Sequence, residues 1–96
     1  MTDHGIKGKT VLIAGGAKNL GGLIARDLAA HGAGAIAIHY NSEATRPEAE
    51  RTLADLKAAG VHAVALQADL TRDGAVARLF ADTVAAIGQP DIAINT

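Results

Sequence analysis

The feature that most constrains the fold is a glycine-rich bend between an apolar run and an amphipathic segment. Residues 10–14 read TVLIA, and residues 20–31 repeat Leu and Ile one helical turn apart. This order predicts a buried strand, a tight turn and a helix. The first N–H groups of a helix lack partners, and residues without side chains let a phosphate approach that backbone closely. Gly15 and Gly21 are therefore the first candidates for a phosphate-binding turn.

The rest of the chain alternates between apolar runs and helical periodicity. Strands are expected at residues 9 or 10 to 14, 35–39, 61–67 and 91–95, and helices at residues 20–31, 47–60 and 71–88. Thr71 is the expected cap of the third helix. This alternation indicates right-handed βαβ units and a parallel sheet. We predict an α/β fold of three layers, in which the strand order is 3-2-1-4, helices one and two cover one face and helix three covers the other.

Each helix has an apolar face that is expected to pack on the sheet. The residues predicted to form these faces are Leu20, Ile24 and Leu28, then Ala49, Leu53 and Leu56, and finally Val76, Leu79, Phe80, Val84 and Ile87.

The reversal in strand order opens a crevice at the carboxyl ends of strands one and four, where open α/β sheets bind ligands. Gly15 and Asn95 are expected to face each other across it. Strand four would be an edge, yet residues 92–94 are uniformly apolar, as in a strand covered and paired on both sides. We therefore expect residues 1–96 to be the N-terminal part of a single longer domain, truncated after the fourth strand. Expressed alone, such a segment should aggregate or give poorly dispersed amide signals.

Composition excludes several classes of function. A net charge of −1 provides no long-range field that would attract nucleic acid or an anionic membrane. Without cysteine there is no thiol nucleophile, disulfide or thiolate metal site. The histidines lack metal-ligand spacing, and no run of about 18 apolar residues occurs. We expect a cytoplasmic protein with no metal site and no nucleic-acid or membrane partner.

The turn resembles that of the short-chain dehydrogenase/reductase family, which usually reads T-G-x-x-x-G-x-G. Ala14 stands at the Thr position and Asn19 at the middle Gly, where Asn tolerates positive φ better than most residues. The resemblance covers the whole chain and implies a dinucleotide-binding Rossmann-type domain. It places the turn contacts on Gly15, Ala17, Lys18, Asn19, Leu20 and Gly21.

Two later segments also match the family. In the sequence Ala68-Asp69-Leu70, the resemblance implies that Asp69 contacts the adenine edge, although a loop acid capping the next helix is the alternative. Asn95 stands on the first Asn of the family's N-N-A-G motif, and Thr96 replaces the second. A strand-end hydrogen bond is the other role open to Asn95, and the two roles can coexist.

The residues after strand two bear on the choice of cofactor. An acidic group there would accept the ribose 2′-OH of NAD and repel the 2′-phosphate of NADP. His39, Tyr40, Asn41 and Ser42 stand there instead. Asn41 and Ser42 can donate to phosphate oxygens, and Lys18 can supply a point charge unless it is only a solvated surface residue. His39 is a further candidate for a contact to the adenosine ribose. We predict NADP(H) as the preferred cofactor, with NAD(H) as the alternative.

The resemblance implies an oxidoreductase that moves hydride between nicotinamide and a carbonyl or alcohol substrate. It also implies a homotetramer or homodimer. The family's catalytic Ser and Y-x-x-x-K pair are not expected in this chain, because Tyr40 has Ala44 where Lys is needed. The 96 residues alone are predicted to be inactive. The alternatives are a non-catalytic NADP-binding sensor and an α/β domain for another phosphate-bearing cofactor, such as a flavin.

Overall fold

The computed structural model describes residues 6–15 and 19–96. Strands and helices alternate along the chain. Their bounds are β1 Thr10–Ala14, α1 Asn19–Ala30, β2 Ala35–Tyr40, α2 Arg46–Ala58, β3 His62–Gln67, α3 Ala75–Ile87 and β4 Ile92–Asn95. A short 3-10 helix, Glu43–Thr45, precedes α2.

The four strands form one parallel sheet in the order β3-β2-β1-β4. This confirms the predicted α/β fold and its strand order. β2 and β3 lie on one side of β1, and β4 lies on the other, so the order in which strands are added reverses at β1. Because the strands are parallel, their carboxyl ends all lie along one edge of the sheet.

The apolar runs of β1 and β2 form the centre of the sheet. Val11, Ile13 and Ile36 are fully buried in the cluster that includes Leu56 of α2 and small residues of α1. Leu12 and Ala37 belong to a second cluster with Leu79 of α3. Since neighbouring strand residues point to opposite faces, the two clusters place α1 and α2 on one side and α3 on the other, as predicted.

The predicted start of α3 is wrong. The helix begins at Ala75, and its N-cap is Gly74, whose φ is +78°. Thr71 instead donates its backbone N–H to the Asp69 carboxylate at 3.0 Å and its hydroxyl at 2.6 Å. These local hydrogen bonds favour a turn over a helical start, so the N-cap lies three residues later, at Gly74 instead of Thr71.

Part of the predicted helical burial is also wrong. Leu20 of α1 is 62% exposed, and Val76, Phe80 and Val84 of α3 are 53%, 38% and 43% exposed. These side chains of α3 are exposed because this helix packs chiefly on β3 and β2 and leaves the rest of its apolar face uncovered. Its apolar stripe is therefore wider than the part of the sheet beneath it.

Candidate cofactor-binding site

Gly15 ends β1 and begins the predicted phosphate turn. Its φ is +76°, a conformation that residues with a Cβ rarely adopt. A Cβ at this position would also lie 2.6 Å from the hydroxyl oxygen of Thr96. Glycine is therefore required here for both its backbone conformation and its lack of a side chain.

The rest of the predicted turn lies partly outside the described residues. Ala17 and Lys18 fall in that gap. Asn19 is the first residue of α1, Leu20 is exposed and Gly21 is buried in the first turn of the helix.

The strand end beside Gly15 is held by Thr96. Asn95 pairs with Ala14 in the β1–β4 register. Thr96 then donates both its N–H, at 3.2 Å, and its hydroxyl, at 2.9 Å, to the carbonyl oxygen of Ala14. Thr96, rather than Asn95 as expected, is thus the residue that opposes Gly15 across the crevice. Asn95 is exposed beside it.

His39 connects the phosphate turn to the end of β3. Its side chain is buried, and its Nδ1 accepts a hydrogen bond from the Gly15 N–H at 3.0 Å. Its Nε2 lies 2.7 Å from the carbonyl oxygen of Ala68. The predicted ribose contact of His39 stays a prediction, whereas these two contacts, which join distant parts of the chain, were not expected from the sequence.

The loop after β2 is held mainly through its backbone. The carbonyl oxygen of Tyr40 accepts the Ala68 N–H at 3.0 Å, and that of Asn41 accepts the Gln67 side-chain amide at 2.8 Å. The Ser42 carbonyl oxygen accepts both the N–H and the hydroxyl of Thr45. The side chain of Asn41 is exposed, and the Ser42 hydroxyl does not cap the 3-10 helix.

Arg46, which the sequence reasoning did not single out, carries a cation near this loop. Its guanidinium lies 3.1 Å from the Glu50 carboxylate and 3.3 Å from that of Glu43. The hydrogen bond to Glu50 and then that to Glu43 raise the pKa of Arg46 above its ordinary value. The spacing of four residues between Arg46 and Glu50 is the sequence pattern that could have predicted this ion pair on a helix. The first carboxylate after β2, that of Glu43, is thereby paired with a cation.

The loop after β3 carries the predicted adenine-side residues. The two hydrogen bonds from Thr71, with a smaller contribution from the charge of Arg72, lower the pKa of the Asp69 carboxyl below its ordinary value. Ala68 and Asp69 line a cavity of about 420 Å³ that extends to Arg78 of α3. Leu70 packs against the Leu79 cluster instead. It lines a smaller cavity of about 220 Å³ together with Ala14, Phe80 and Asn95.

The structure thus places those predicted residues that it describes in three neighbouring groups at the carboxyl edge of the sheet. These groups are the Gly15 turn with Asn95, the loop that follows β2, and the segment 68–70. Within residues 6–15 and 19–96, no three His, Asp or Glu side chains are clustered so that they could hold a metal ion. Across the same residues, every helix is too short or too polar to span a bilayer.

A parallel, doubly wound sheet with a glycine turn at its switch point defines a nucleotide-binding class of domain. A protein-family model described as the KR domain matches residues 9–93. The chain belongs to this family, within the short-chain dehydrogenases/reductases.

Individual relatives agree with this assignment. The 2,3-dihydro-2,3-dihydroxybenzoate dehydrogenase of Bacillus subtilis is 37% identical over 99% of this chain and 35% of its own length. Elsinochrome reductase 1 of Elsinoe fawcettii is 38% identical over 94% of this chain and 33% of its own length. The chain therefore spans about a third of the length of these curated relatives.

Two solved structures are also similar. A Burkholderia cenocepacia protein with bound NADP is 61% identical, with a TM-score of 0.90 over 94% of this chain and 34% of its own. A blue fluorescent protein from a metagenomic library, in complex with NADPH, is 32% identical, with a TM-score of 0.84 over 91% of this chain and 35% of its own.

Proposed function

We propose that this chain is the NADP(H)-binding part of an oxidoreductase that transfers hydride between nicotinamide and a carbonyl or alcohol carbon. The observation that carries the proposal is the direct connection, through the ring of His39, between the Gly15 turn and the Ala68 carbonyl. The turn at Gly15, assigned to the pyrophosphate, and the segment at Ala68, assigned to the adenine, are thereby held next to each other. Membership of the dehydrogenase/reductase family supports the reaction class.

The residues present fit such a cofactor. Gly15, with a φ of +76°, turns the chain sharply at the end of β1, so that the free N–H groups at the start of α1 can face a pyrophosphate. The Asp69 carboxylate, whose pKa lies below its ordinary value, is charged at neutral pH and can accept a hydrogen bond from an exocyclic amine. The bound nicotinamide would supply the hydride chemistry, while this chain binds and orients the cofactor.

The proposed binding residues form three groups. Phosphates would lie against the turn of Gly15, Ala17, Lys18, Asn19, Leu20 and Gly21, in which Gly15 supplies the sharp bend and not its N–H. The adenosine ribose and its 2′-phosphate would be held by Tyr40, Asn41 and Ser42, beside His39, whose two ring nitrogens are engaged by Gly15 and Ala68. Adenine would be held by Ala68, Asp69 and Leu70, with Asn95 at the nicotinamide side of the crevice.

The proposed preference for NADP(H) over NAD(H) rests on the loop after β2. A carboxylate at the end of β2 would repel a 2′-phosphate. Here the first acidic residue is Glu43, and its carboxylate is paired with Arg46. The exposed amide of Asn41 is available as a donor instead. The similar structures that hold NADP and NADPH are consistent with this preference.

We further propose that the catalytic groups lie outside these 96 residues and that this chain alone does not turn over substrate. Tyr40 ends β2 on the adenosine side of the site, and Ala44 stands four residues later. A small-molecule substrate, a homotetrameric or homodimeric parent and a cytoplasmic location stay predictions.

The test is a titration with NADPH and with NADH of the longer protein that we propose contains this chain, for the wild type and for Lys18→Ala. Because an ammonium near the 2′-phosphate favours NADPH only, we expect Lys18→Ala to raise the Kd for NADPH by about fivefold to tenfold and to leave that for NADH nearly unchanged. Lys57→Ala, on the exposed side of α2, is the control and should change neither Kd. Equal losses for both cofactors would exclude the proposed role of Lys18, and absence of NADPH binding by the wild type would exclude the proposed cofactor.

A further inference from the structure

We propose that His39 is a positioning residue that sets the separation between the phosphate turn and the adenine-side loop, without itself touching the cofactor. This inference rests on the proposed NADP(H) site. We call the contact set of Gly15, His39 and Ala68 the histidine bridge.

The bridge joins the ends of β1 and β3, which are not neighbours in the sheet, whereas Ala68 is connected to β2 by its N–H, donated to the Tyr40 carbonyl oxygen. β2 is the strand between β1 and β3, and His39 is its penultimate residue, paired with Leu66. Gly15 follows the last residue of β1, and Ala68 follows the last residue of β3. Both therefore lie just beyond the strand ends, and the ring of His39 reaches across the end of the sheet to each of them.

The two hydrogen bonds define the protonation state of the ring. A carbonyl oxygen only accepts, so the 2.7 Å contact to Ala68 places the proton on Nε2. Nδ1 then carries the lone pair that accepts the Gly15 N–H at 3.0 Å. A doubly protonated ring would set one N–H against another, so the bridge requires the neutral Nε2–H form. His39 as a whole residue is only 5% exposed, which leaves little access for water to replace either partner.

The bridge also assigns the Gly15 N–H to the protein instead of to a ligand. Phosphate binding is then left to other N–H groups, such as those without helical partners at the start of α1. The part of the site that depends on His39 is the spacing between phosphates and adenine. A ligand that contacts both ends, such as NADPH, should need the bridge, whereas 2′-AMP, which has no pyrophosphate, should not.

The test compares three variants of His39, in the longer protein that we propose contains this chain, by titration with NADPH and with 2′-AMP. His39→Leu removes both hydrogen bonds, His39→Asn can replace only the acceptor near Nδ1, and His39→Gln can replace only the donor near Nε2. We expect His39→Leu to raise the Kd for NADPH by tenfold or more, about the factor for one lost buried hydrogen bond. The other two variants should retain part of the affinity, and the Kd for 2′-AMP should change by less than about threefold in all three.

Matched controls and a spectroscopic measurement accompany the titrations. His62 begins β3 at the opposite end of the sheet and is exposed. His62→Asn and His62→Gln should bind NADPH as the wild type does. Nitrogen-15 NMR of the wild type without ligand should show His39 in the Nε2–H tautomer, which tests the bridge independently of any cofactor.

The outcomes separate this inference from the proposed function. If the wild type binds NADPH but His39 has its proton on Nδ1, or if all three variants bind NADPH normally, the bridge is excluded and the cofactor site stands. A parallel loss of 2′-AMP affinity would show that His39 contacts the adenosine ribose directly, which also excludes a positioning role. If the wild type does not bind NADPH, the proposed function and the role of the bridge in it both fail. If His39→Leu does not fold, the Asn and Gln variants decide the question.

Discussion

At the scale of single residues, Gly15 and Thr96 constrain each other. Gly15→Ala would introduce a Cβ 2.6 Å from the Thr96 hydroxyl at a φ of +76°. Gly60→Ala is a matched control, because Gly60 has a φ of +87° and no atom within 4 Å of the added Cβ. The control should lose about 1–2 kcal/mol of unfolding free energy from backbone strain alone. Gly15→Ala should lose at least about 1 kcal/mol more of unfolding free energy, because the added Cβ also forces the Thr96 hydroxyl to move away.

A double-mutant cycle by urea denaturation measures this contact. In the Thr96→Ala background the Thr96 hydroxyl is absent, and the nearest remaining side-chain atom, its Cβ, lies at an ordinary contact distance of 3.9 Å. The added cost of Gly15→Ala should therefore fall to that of Gly60→Ala. Equal costs of Gly15→Ala in both backgrounds would show that Thr96 does not occupy the space in front of Gly15.

Asp69 provides a residue-scale test that depends on pH. The Thr71 hydroxyl is the largest cause that holds the pKa of Asp69 below 3.8, and the charge of Arg72 is a smaller one. Thr71→Ala should therefore raise this pKa toward 3.8 by more than Arg72→Ala does, as measured by carbon-13 NMR of the carboxyl group. Since the folded pKa lies below the unfolded value, the stabilisation is complete above pH 3.8 and is lost as the pH falls through the folded pKa. In Thr71→Ala the stabilisation by the Asp69 carboxylate should be smaller, and it should be lost at a higher pH than in the wild type. A larger rise of the Asp69 pKa in Arg72→Ala than in Thr71→Ala would contradict the assigned cause.

At the scale of elements, the packing of α2 decides much of the stability. Leu56 is fully buried between α2 and the sheet, whereas Leu23 of α1 is 65% exposed. Leu56→Ala should lower the free energy of unfolding by about 2–5 kcal/mol, because it removes buried apolar surface and leaves a cavity. The same change at Leu23 should stay within about 0.5 kcal/mol. Thermal or urea unfolding followed by circular dichroism measures both, and similar losses would mean that α2 does not pack as described.

The elements also show what the sequence could and could not predict. The order of the sheet was predictable, because β1 and β2 are continuous apolar runs and βαβ units have a fixed hand. The start of α3 was not, because the two hydrogen bonds that Thr71 donates to the Asp69 carboxylate compete with helix formation over a few residues. The histidine bridge left no local signal, since His39 is 24 residues from Gly15 and 29 from Ala68 in the chain. Of the candidate site, the sequence therefore predicted which segments meet, but not which atoms hold them together.

At the scale of the whole molecule, one apolar surface stands out. The exposed side chains of Val76, Phe80 and Val84 lie on one face of α3, beside the cavity that Leu70 and Ala93 help to line. We call this surface the α3 patch. A chain of this length buries only about 60–70% of its unfolded surface, and contiguous exposed apolar patches promote association. The patch therefore predicts that the 96-residue chain self-associates as its concentration rises.

The association can be assigned to one surface by comparing two pairs of substitutions. Val76→Thr and Val84→Thr together keep the side-chain shape but place hydroxyl groups on the α3 patch. Leu20→Gln and Leu23→Gln together alter apolar residues of α1 that are more exposed, at 62% and 65%. Because α1 covers the opposite face of the sheet, only the α3 pair should shift sedimentation-velocity profiles toward the monomer over the same concentration range. A shift in the α1 pair instead would place the associating surface on that helix, and a wild-type chain that stays monomeric throughout would show that the α3 patch does not drive association.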